Sequence, residues 1–445
     1  MLALLAVSAL ALALRFHGYA STPPFTDDAD ELNFAWGGLN LILIHDAYTW
    51  SYFSAYPSHT VLSANGTVYP LVHHWLDHPP LFSLVIGGWV WLTGVRDMLA
   101  VTAAQVRVPP VLFSTLTVPL AHVLGRRFLG TPGGLCAAAL LATSPGAVLL
   151  GRVAEAESLL AIVLLVALIM TARVLRLPGT TWPVLVLLAC CVVAPLLKVP
   201  GVAVAGISAV ILAVSGSWRL AGAALAAGVT GLLVYVVYGA MVDWNLFVRV
   251  WAEQAGNRLG VLSAIQFVSA PAGVNRDLLD GWWLLGWIGL GTLVARGRRQ
   301  AELFVVWPAV AYAAAMLVLA NQRQVAQYGW YRMAVYPELY LATGWLVLEA
   351  VRRRSLVLLT VLLALGGATA TNWWLGGPDE AWVPEPVGLS VLIAIVLAPA
   401  LLSMWRPADP LYRWWARGAA AAAVVVMLVG NTVESAWLDR VFGRL

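Results

Sequence analysis

The 445 residues are 61% hydrophobic and only 11% charged, with a mean hydropathy of +0.83, whereas a soluble domain is roughly 45–50% apolar and ~25% charged. That balance excludes an ordinary soluble enzyme and describes an all-α polytopic membrane protein in which strands have little room. A net charge of +4 would suit nucleic acid, but the arginines fall in short clusters between apolar runs, as cytoplasmic loops do, so no nucleic-acid partner is expected.

The first apolar run, Met1 to Leu14, is short for a span. It lacks the basic leader and A-x-A site of a signal peptide, so it reads as a first transmembrane helix. Directly after it, "TPPFTDDADE" sets Asp27, Asp28, Asp30 and Glu31 close together. Acids are favoured by the dipole at the start of a helix, where Thr26 or Asp27 could act as N-cap. Four together repel one another and raise at least one pKa, which points to a site needing a general base or a cation.

Further on, "HHWLDHPPLF" places His74 four residues before His78, a spacing at which two imidazoles can share a metal, with Asp77 as a third ligand. A divalent cation is the one cofactor this sequence suggests. Pro79-Pro80 disfavours helix at His78, which leaves histidines at a surface turn as the alternative. The next stretch, "LFSLVIGGWVWLTGV" at 81–95, resembles a span. A crossing there would put Arg126-Arg127 outside, so it is expected to lie in the outer interface or to re-enter.

Basic clusters orient the rest: Arg126-Arg127, Arg173/Arg176, Arg219, Arg296/Arg298/Arg299, Arg352-Arg353-Arg354 and Arg406/Arg413/Arg417. With these inside, the chain turns outside near 151–157, 197–200, 241–280, 321–332 and 372–386, giving about thirteen crossings. The N-terminus is then inside, the C-terminus outside, and nearly every acid outside. The whole chain is one integral-membrane domain, with outer segments at 17–105, carrying juxtamembrane helices, and at 241–281. Cys136, Cys190 and Cys191 sit in apolar runs without metal-ligand spacing and read as buried thiols.

At the outer turn "LLGRVAEAESLL", Arg152, Glu155 and Glu157 are either solvated, with Arg152 and Glu155 paired at helix spacing, or functional. Glu157 opens a span, where an ionisable group is expensive unless used. Lys198, in "PLLKVPG", is the sole lysine; it either snorkels from a helix end or holds a phosphate as a point charge.

Six fragments in order, namely Asp30-Glu31, "HPPL" at 78–81, "VRVPPVLFSTLTVPLAHVLGRRFLG" at 106–130, "GRVAEAESLL" at 151–160, "LKVPG" at 197–201 and "YRMAVYPELYLATGW" at 331–345, resemble the GT-C glycosyltransferases. The branch they are most similar to is that of protein O-mannosyltransferases and the aminoarabinose transferases of lipid A. The resemblance implies a GT-C-like bundle. Asp30 matches the acid of the first outer loop and becomes the leading general base, with Glu31 beside it. His78 stands where relatives carry a basic residue facing the donor phosphate. Arg107 matches the arginine of an R-L-P-S-like motif, Lys198 the lysine after the fifth span, and Tyr331 and Arg332 the polar start of a late helix. Glu157 matches a second acidic position, where Asp is commoner. Asp27, Asp28 and Glu155 are further site acids.

The implied chemistry takes a sugar from a polyprenyl monophosphate in the outer leaflet and passes it to the hydroxyl of a glycan, lipid or protein acceptor. A carboxylate removes the hydroxyl proton while cations hold the departing phosphate. The implied location is a bacterial inner membrane with the site on its outer, periplasmic face; scarce lysine beside abundant Ala, Arg and Gly suits a GC-rich bacterium. The rival reading is a transporter or lipid-linked-sugar flippase, but transporters usually show repeat symmetry and polar groups near mid-bilayer. A metal hydrolase built on His73, His74, Asp77 and His78 would lack an H-E-x-x-H signature.

Overall fold

The computed structural model describes residues 1–25, 30–64, 66–256, 281–319, 329–353, 358–362 and 409–439, with isolated helical positions from 365 to 405. Asp27, Asp28, most of the 241–281 segment, and residues 321–328 and 372–386, where outer turns are expected, lie outside the described residues.

Helix α1 (Leu2–Phe16) carries Arg15 in its last turn, a buried cation with no carboxylate among its hydrogen-bond partners in the described residues. Its guanidinium donates to Ser114 Oγ at 3.2 Å, Leu141 O at 3.0 Å and Ala142 O at 3.2 Å. Helix α2 (Asp30–Ile44) and helix α3 (Pro80–Leu92) follow. Proline at the start of α3 costs no hydrogen bond, because the first helical N–H has no partner in any helix. The two helices cross backbone against backbone. A Cβ on Gly38 would fall 1.7 Å from Ser83 O, and one on Gly87 2.2 Å from the Gly38 carbonyl carbon, so only glycine fits either place.

Between α2 and α3 the chain forms a small antiparallel sheet of β1 (Thr49–Trp50), β2 (Thr60–Ala64) and β3 (Thr67–Val72), in the order β1-β3-β2. The register runs from Thr60 opposite Leu71 to Ala64 opposite Thr67. These three short strands are the only ones among the described residues, in keeping with the little room expected for strands. The two-residue Asn65-Gly66 connection is the strongest short hairpin signal a sequence carries, and Tyr69 of β3 packs edge-on against Trp36 of α2, at 5.2 Å between rings.

A capping box of Thr102 and Gln105 opens the short α4 (Ala103–Val106). Helix α5 (Val108–Thr143) is a hairpin of two limbs, broken at Gly130 with φ +81°. Its limbs press Gly125 on Gly134, where a Cβ would come 2.9 Å from the facing Cα. Arg126-Arg127 therefore sits at the turn. Helix α6 (Pro145–Leu150) leads to α7 (Ala156–Arg176), whose 21 residues span ~31 Å at ~1.5 Å per residue, the thickness of a bilayer's hydrocarbon core. Glu157 stands in its first turn and Arg173 and Arg176 in its last, a polarity the helix dipole favours. Helix α8 (Thr181–Leu197) returns to Lys198, α9 (Val202–Val214) goes back, and α10 (Trp218–Gly256) returns again with a break at Asp243. Helices α11 (Gly281–Ala295), α12 (Trp307–Leu319), α13 (Tyr336–Arg353) and α14 (Pro410–Ala436) follow among the described residues.

Four helical stretches among the described residues are long and apolar enough to cross a membrane: Ala103–Thr143, Ala156–Arg176, Trp218–Ala255 and Trp414–Ala436. Five shorter apolar helices accompany them. The helices shuttle between an acidic end, holding Asp30, Glu157 and Lys198, and an arginine end.

Candidate active site

The acidic end gathers groups distant in sequence. Asp30, in the first turn of α2, is half-buried. Desolvation raises its pKa above the usual carboxylate value; the nearby Lys198 charge opposes the rise and Glu157 adds to it. Lys198 lies at the joint between α8 and a 3₁₀ turn, Val199–Gly201. Its ammonium donates to Glu157 Oε1 at 2.6 Å and Glu155 Oε2 at 3.5 Å, and stands 4.8 Å from the centre of the Tyr331 ring. Both glutamates are fully buried at the start of α7. Glu157 Oε2 has no hydrogen-bond partner among the described residues. Tyr331 and Arg332 occupy a 3₁₀ turn, Gly329–Val335, that packs against α7, and both are buried.

Glu31 and Arg107 are placed differently from Asp30. Arg107 Nε lies 2.8 Å from Glu31 Oε2, and Nη2 2.5 Å from Oε1. Glu31 also accepts from Ala154 N at 3.0 Å, while Arg107 Nη1 donates to Tyr19 O at 3.0 Å and Pro23 O at 2.7 Å. Both side chains are fully buried. Where the resemblance set Glu31 beside the base and Arg107 on a phosphate, the geometry gives each to the other, and the closed pair fixes the first turn of α2 against the start of α5. Arg152 is likewise internal, donating to Leu14 O at 2.9 Å and Thr22 O at 3.3 Å, rather than pairing with Glu155.

The histidine stretch divides. Asp77 accepts from Tyr56 Oη at 2.6 Å and Ser51 Oγ at 2.7 Å. Burial pushes its pKa up to about 7, against the lowering effect of those hydrogen bonds. His74 and His73 instead flank Asp46, each with Nδ1 at 3.0 Å from one carboxylate oxygen. His78 packs on Phe34 and Trp75, at 5.5 and 5.6 Å between ring centres. The candidate ligand set His74, Asp77 and His78 therefore does not converge, and no metal-holding group of three occurs among the described residues. His78 still borders the site, because Phe34 lies one turn beyond Asp30 on the same face of α2.

Three further features carry weak sequence signals. Glu253, near the end of α10, accepts from Ser54 N at 3.0 Å and Ala55 N at 2.7 Å, and Gln254 Nε2 donates to Asp77 O at 2.5 Å. The end of α10 is thereby tied to the segment between α2 and α3. Glu338, in the first turn of α13, is fully buried, and neither carboxyl oxygen has a hydrogen-bond partner among the described residues. Tyr312 of α12, also buried, feels the charges of Glu157, Lys198 and Glu338. An acid amid apolar residues at a helix start was as visible at Glu338 as at Glu157.

No protein-family model matches the chain, and no curated protein matches it. Solved structures do. ArnT from Cupriavidus metallidurans bound to undecaprenyl phosphate superposes with a TM-score of 0.58 at 16% identity, over 99% of this chain and 77% of that one. Arabinosyltransferase EmbB from Mycobacterium smegmatis gives 0.54 at 16% identity, over 98% of this chain and 41% of its own. The archaeal oligosaccharyltransferase AglB from Archaeoglobus fulgidus, in complex with an inhibitory peptide and a dolichol-phosphate, gives 0.50 at 13% identity, over 98% and 55%. All three are GT-C glycosyltransferases. The chain has the GT-C fold. It is an all-α polytopic membrane protein of that architecture, with a small sheet between α2 and α3.

Proposed function

We propose that this GT-C-fold protein transfers a sugar from a polyprenyl-monophosphate donor to an acceptor hydroxyl at the outer face of a bacterial inner membrane. The observation that carries the reading is the desolvated Asp30 carboxyl beside the Lys198–Glu157 pair. A carboxylate with a raised pKa is a stronger base than an exposed one. Asp30 takes the acceptor's proton as that oxygen bonds to the anomeric carbon, and the carbon–phosphate oxygen bond breaks with its electron pair staying on the phosphate. Negative charge grows on the departing phosphate, where Lys198, Arg332 and the borderline His78 supply compensation. Glu155 and Glu157 keep the ammonium in place, and the second oxygen of Glu157 is available to a sugar or acceptor hydroxyl. Glu31 and Arg107 act as positioning residues behind Asp30. The neighbouring folds solved with undecaprenyl phosphate and with a dolichol-phosphate support a lipid-linked donor.

The test is incubation of purified protein with a panel of polyprenyl-phosphate sugars, following the free lipid phosphate by mass spectrometry. One lipid-linked sugar should be consumed, with Asp30→Asn slower by at least ~10²-fold and equally well folded. Consumption of a nucleotide sugar without any lipid carrier, or near-normal turnover in Asp30→Asn, would remove the assignment.

A further inference from the structure

At the arginine end, about 24–29 Å along α7 from Glu157, the turn of the α5 hairpin meets the last turn of α7. Arg126 and Arg127 stand on one side and Arg173 and Arg176 on the other. None of the four makes an ion pair with a carboxylate among the described residues, and the charges of Arg173 and Arg176 bear on Arg127. Two cavities of about 530 and 540 Å³ open here and share Arg127 and Arg176. Their walls are mixed in character. The first has Phe128 stacked on Phe304, at 4.6 Å between rings, and the second has Leu124 and Ile169 beside the guanidinium groups. Arg127 is held by a 2.6 Å hydrogen bond to Ala172 O, and Arg173 lies over the Trp182 ring at 5.1 Å.

Four like charges around a shared opening repel one another unless an anion sits between them. Apolar surface in the same cavities is of no use to a free anion but suits glycerol and the first acyl carbons. Basic pockets between membrane helices on the cytoplasmic side have the character that takes acidic lipid headgroups. We propose that this end of the bundle binds an anionic glycerophospholipid, its phosphodiester between Arg126-Arg127 and Arg173/Arg176 and its chains along α5 and α7. The site lies on the opposite membrane face from Asp30 and does not depend on the proposed transfer reaction.

Purified protein in zwitterionic micelles would be offered equimolar phosphatidylglycerol and phosphatidylcholine, and retained lipid counted by native mass spectrometry. Phosphatidylglycerol should be retained preferentially. Arg127→Gln/Arg176→Gln should lower its retention about thirtyfold, a factor of about five for each arginine beside a membrane. Arg298→Gln/Arg352→Gln, which removes arginines outside both cavities, should leave retention unchanged. Unfolding temperature in lipid-free micelles checks that each variant is folded; should the first pair not fold, Arg173→Gln/Arg176→Gln on one helix takes its place. Equal retention of the two lipids, equal losses in both double variants, or displacement of phosphatidylglycerol by inorganic phosphate at matched concentration would each overturn the proposal.

Discussion

Glu31→Gln isolates what the buried pair does. The change keeps side-chain size and one acceptor oxygen, so Ala154 N and one Arg107 contact retain a partner. It removes the only carboxylate paired with Arg107 among the described residues, leaving a fully buried cation with the carbonyls of Tyr19 and Pro23. Removing one partner of a buried ion pair costs about 3–5 kcal/mol, and the surviving carbonyl contacts put this case at about 3. Arg107→Gln should cost about 5 kcal/mol, since it strands a buried carboxylate and releases both carbonyls. The double variant buries no uncompensated charge and should be no worse than Arg107→Gln alone, giving a coupling of about 3 kcal/mol in a double-mutant cycle. Equilibrium unfolding in mixed micelles supplies all four free energies. Turnover should fall in Glu31→Gln as well, because Asp30 shares its helical turn. A coupling below about 0.5 kcal/mol would refute the claim that these groups hold each other.

Lys198→Ala should weaken donor use more than Lys198→Arg, which keeps the charge with altered geometry; lipid-phosphate release at varied donor concentration measures it, and untouched donor dependence in Lys198→Ala would withdraw that lysine. Asp77, pushed up to about 7 by burial, holds its proton in the folded chain across a range where the unfolded chain has lost it. Stability from this group is therefore full below about pH 4 and falls as pH rises towards about 7, by on the order of 4 kcal/mol. Unfolding from pH 5 to 8 should show that slope in the parent and a flatter one in Asp77→Asn; identical slopes would contradict it. Gly38→Ala drives a methyl into the Ser83 carbonyl and should cost on the order of 3 kcal/mol; unchanged unfolding would show that α2 and α3 part without penalty.

Much of this was legible in the chain. Hydropathy and alternating arginines give a bundle with two chemically distinct ends, because membrane insertion is decided by local composition. Glu157 and Lys198 stand out because isolated charges in an apolar chain are costly, Asp30 because it belongs to a cluster of acids that repel one another, and the structure brings all three together. Pairing over distance was not legible. Nothing near Arg107 says that its partner is Glu31, 76 positions away, and a four-residue histidine spacing means little once His74 turns to Asp46 and Asp77 to Tyr56. The small sheet had a signal too: Asn-Gly between "TVLSA" and "TVYPLV" favours a hairpin between alternating strands, a local cue outweighed by a composition that favours helix.

The anchoring of α1 also sets an order of events in time. Arg15 is synthesised early, yet the Leu141 carbonyl that receives its guanidinium lies 126 residues later. At about 5–20 residues per second, the cation waits roughly 6–25 s for its acceptor. Until the α5 hairpin closes, the first helix resides in the membrane with a charge at its end that has only the Ala11 carbonyl of its own helix, water or lipid to satisfy it. Helix α1, made before α5, is thus locked only once that later hairpin has closed.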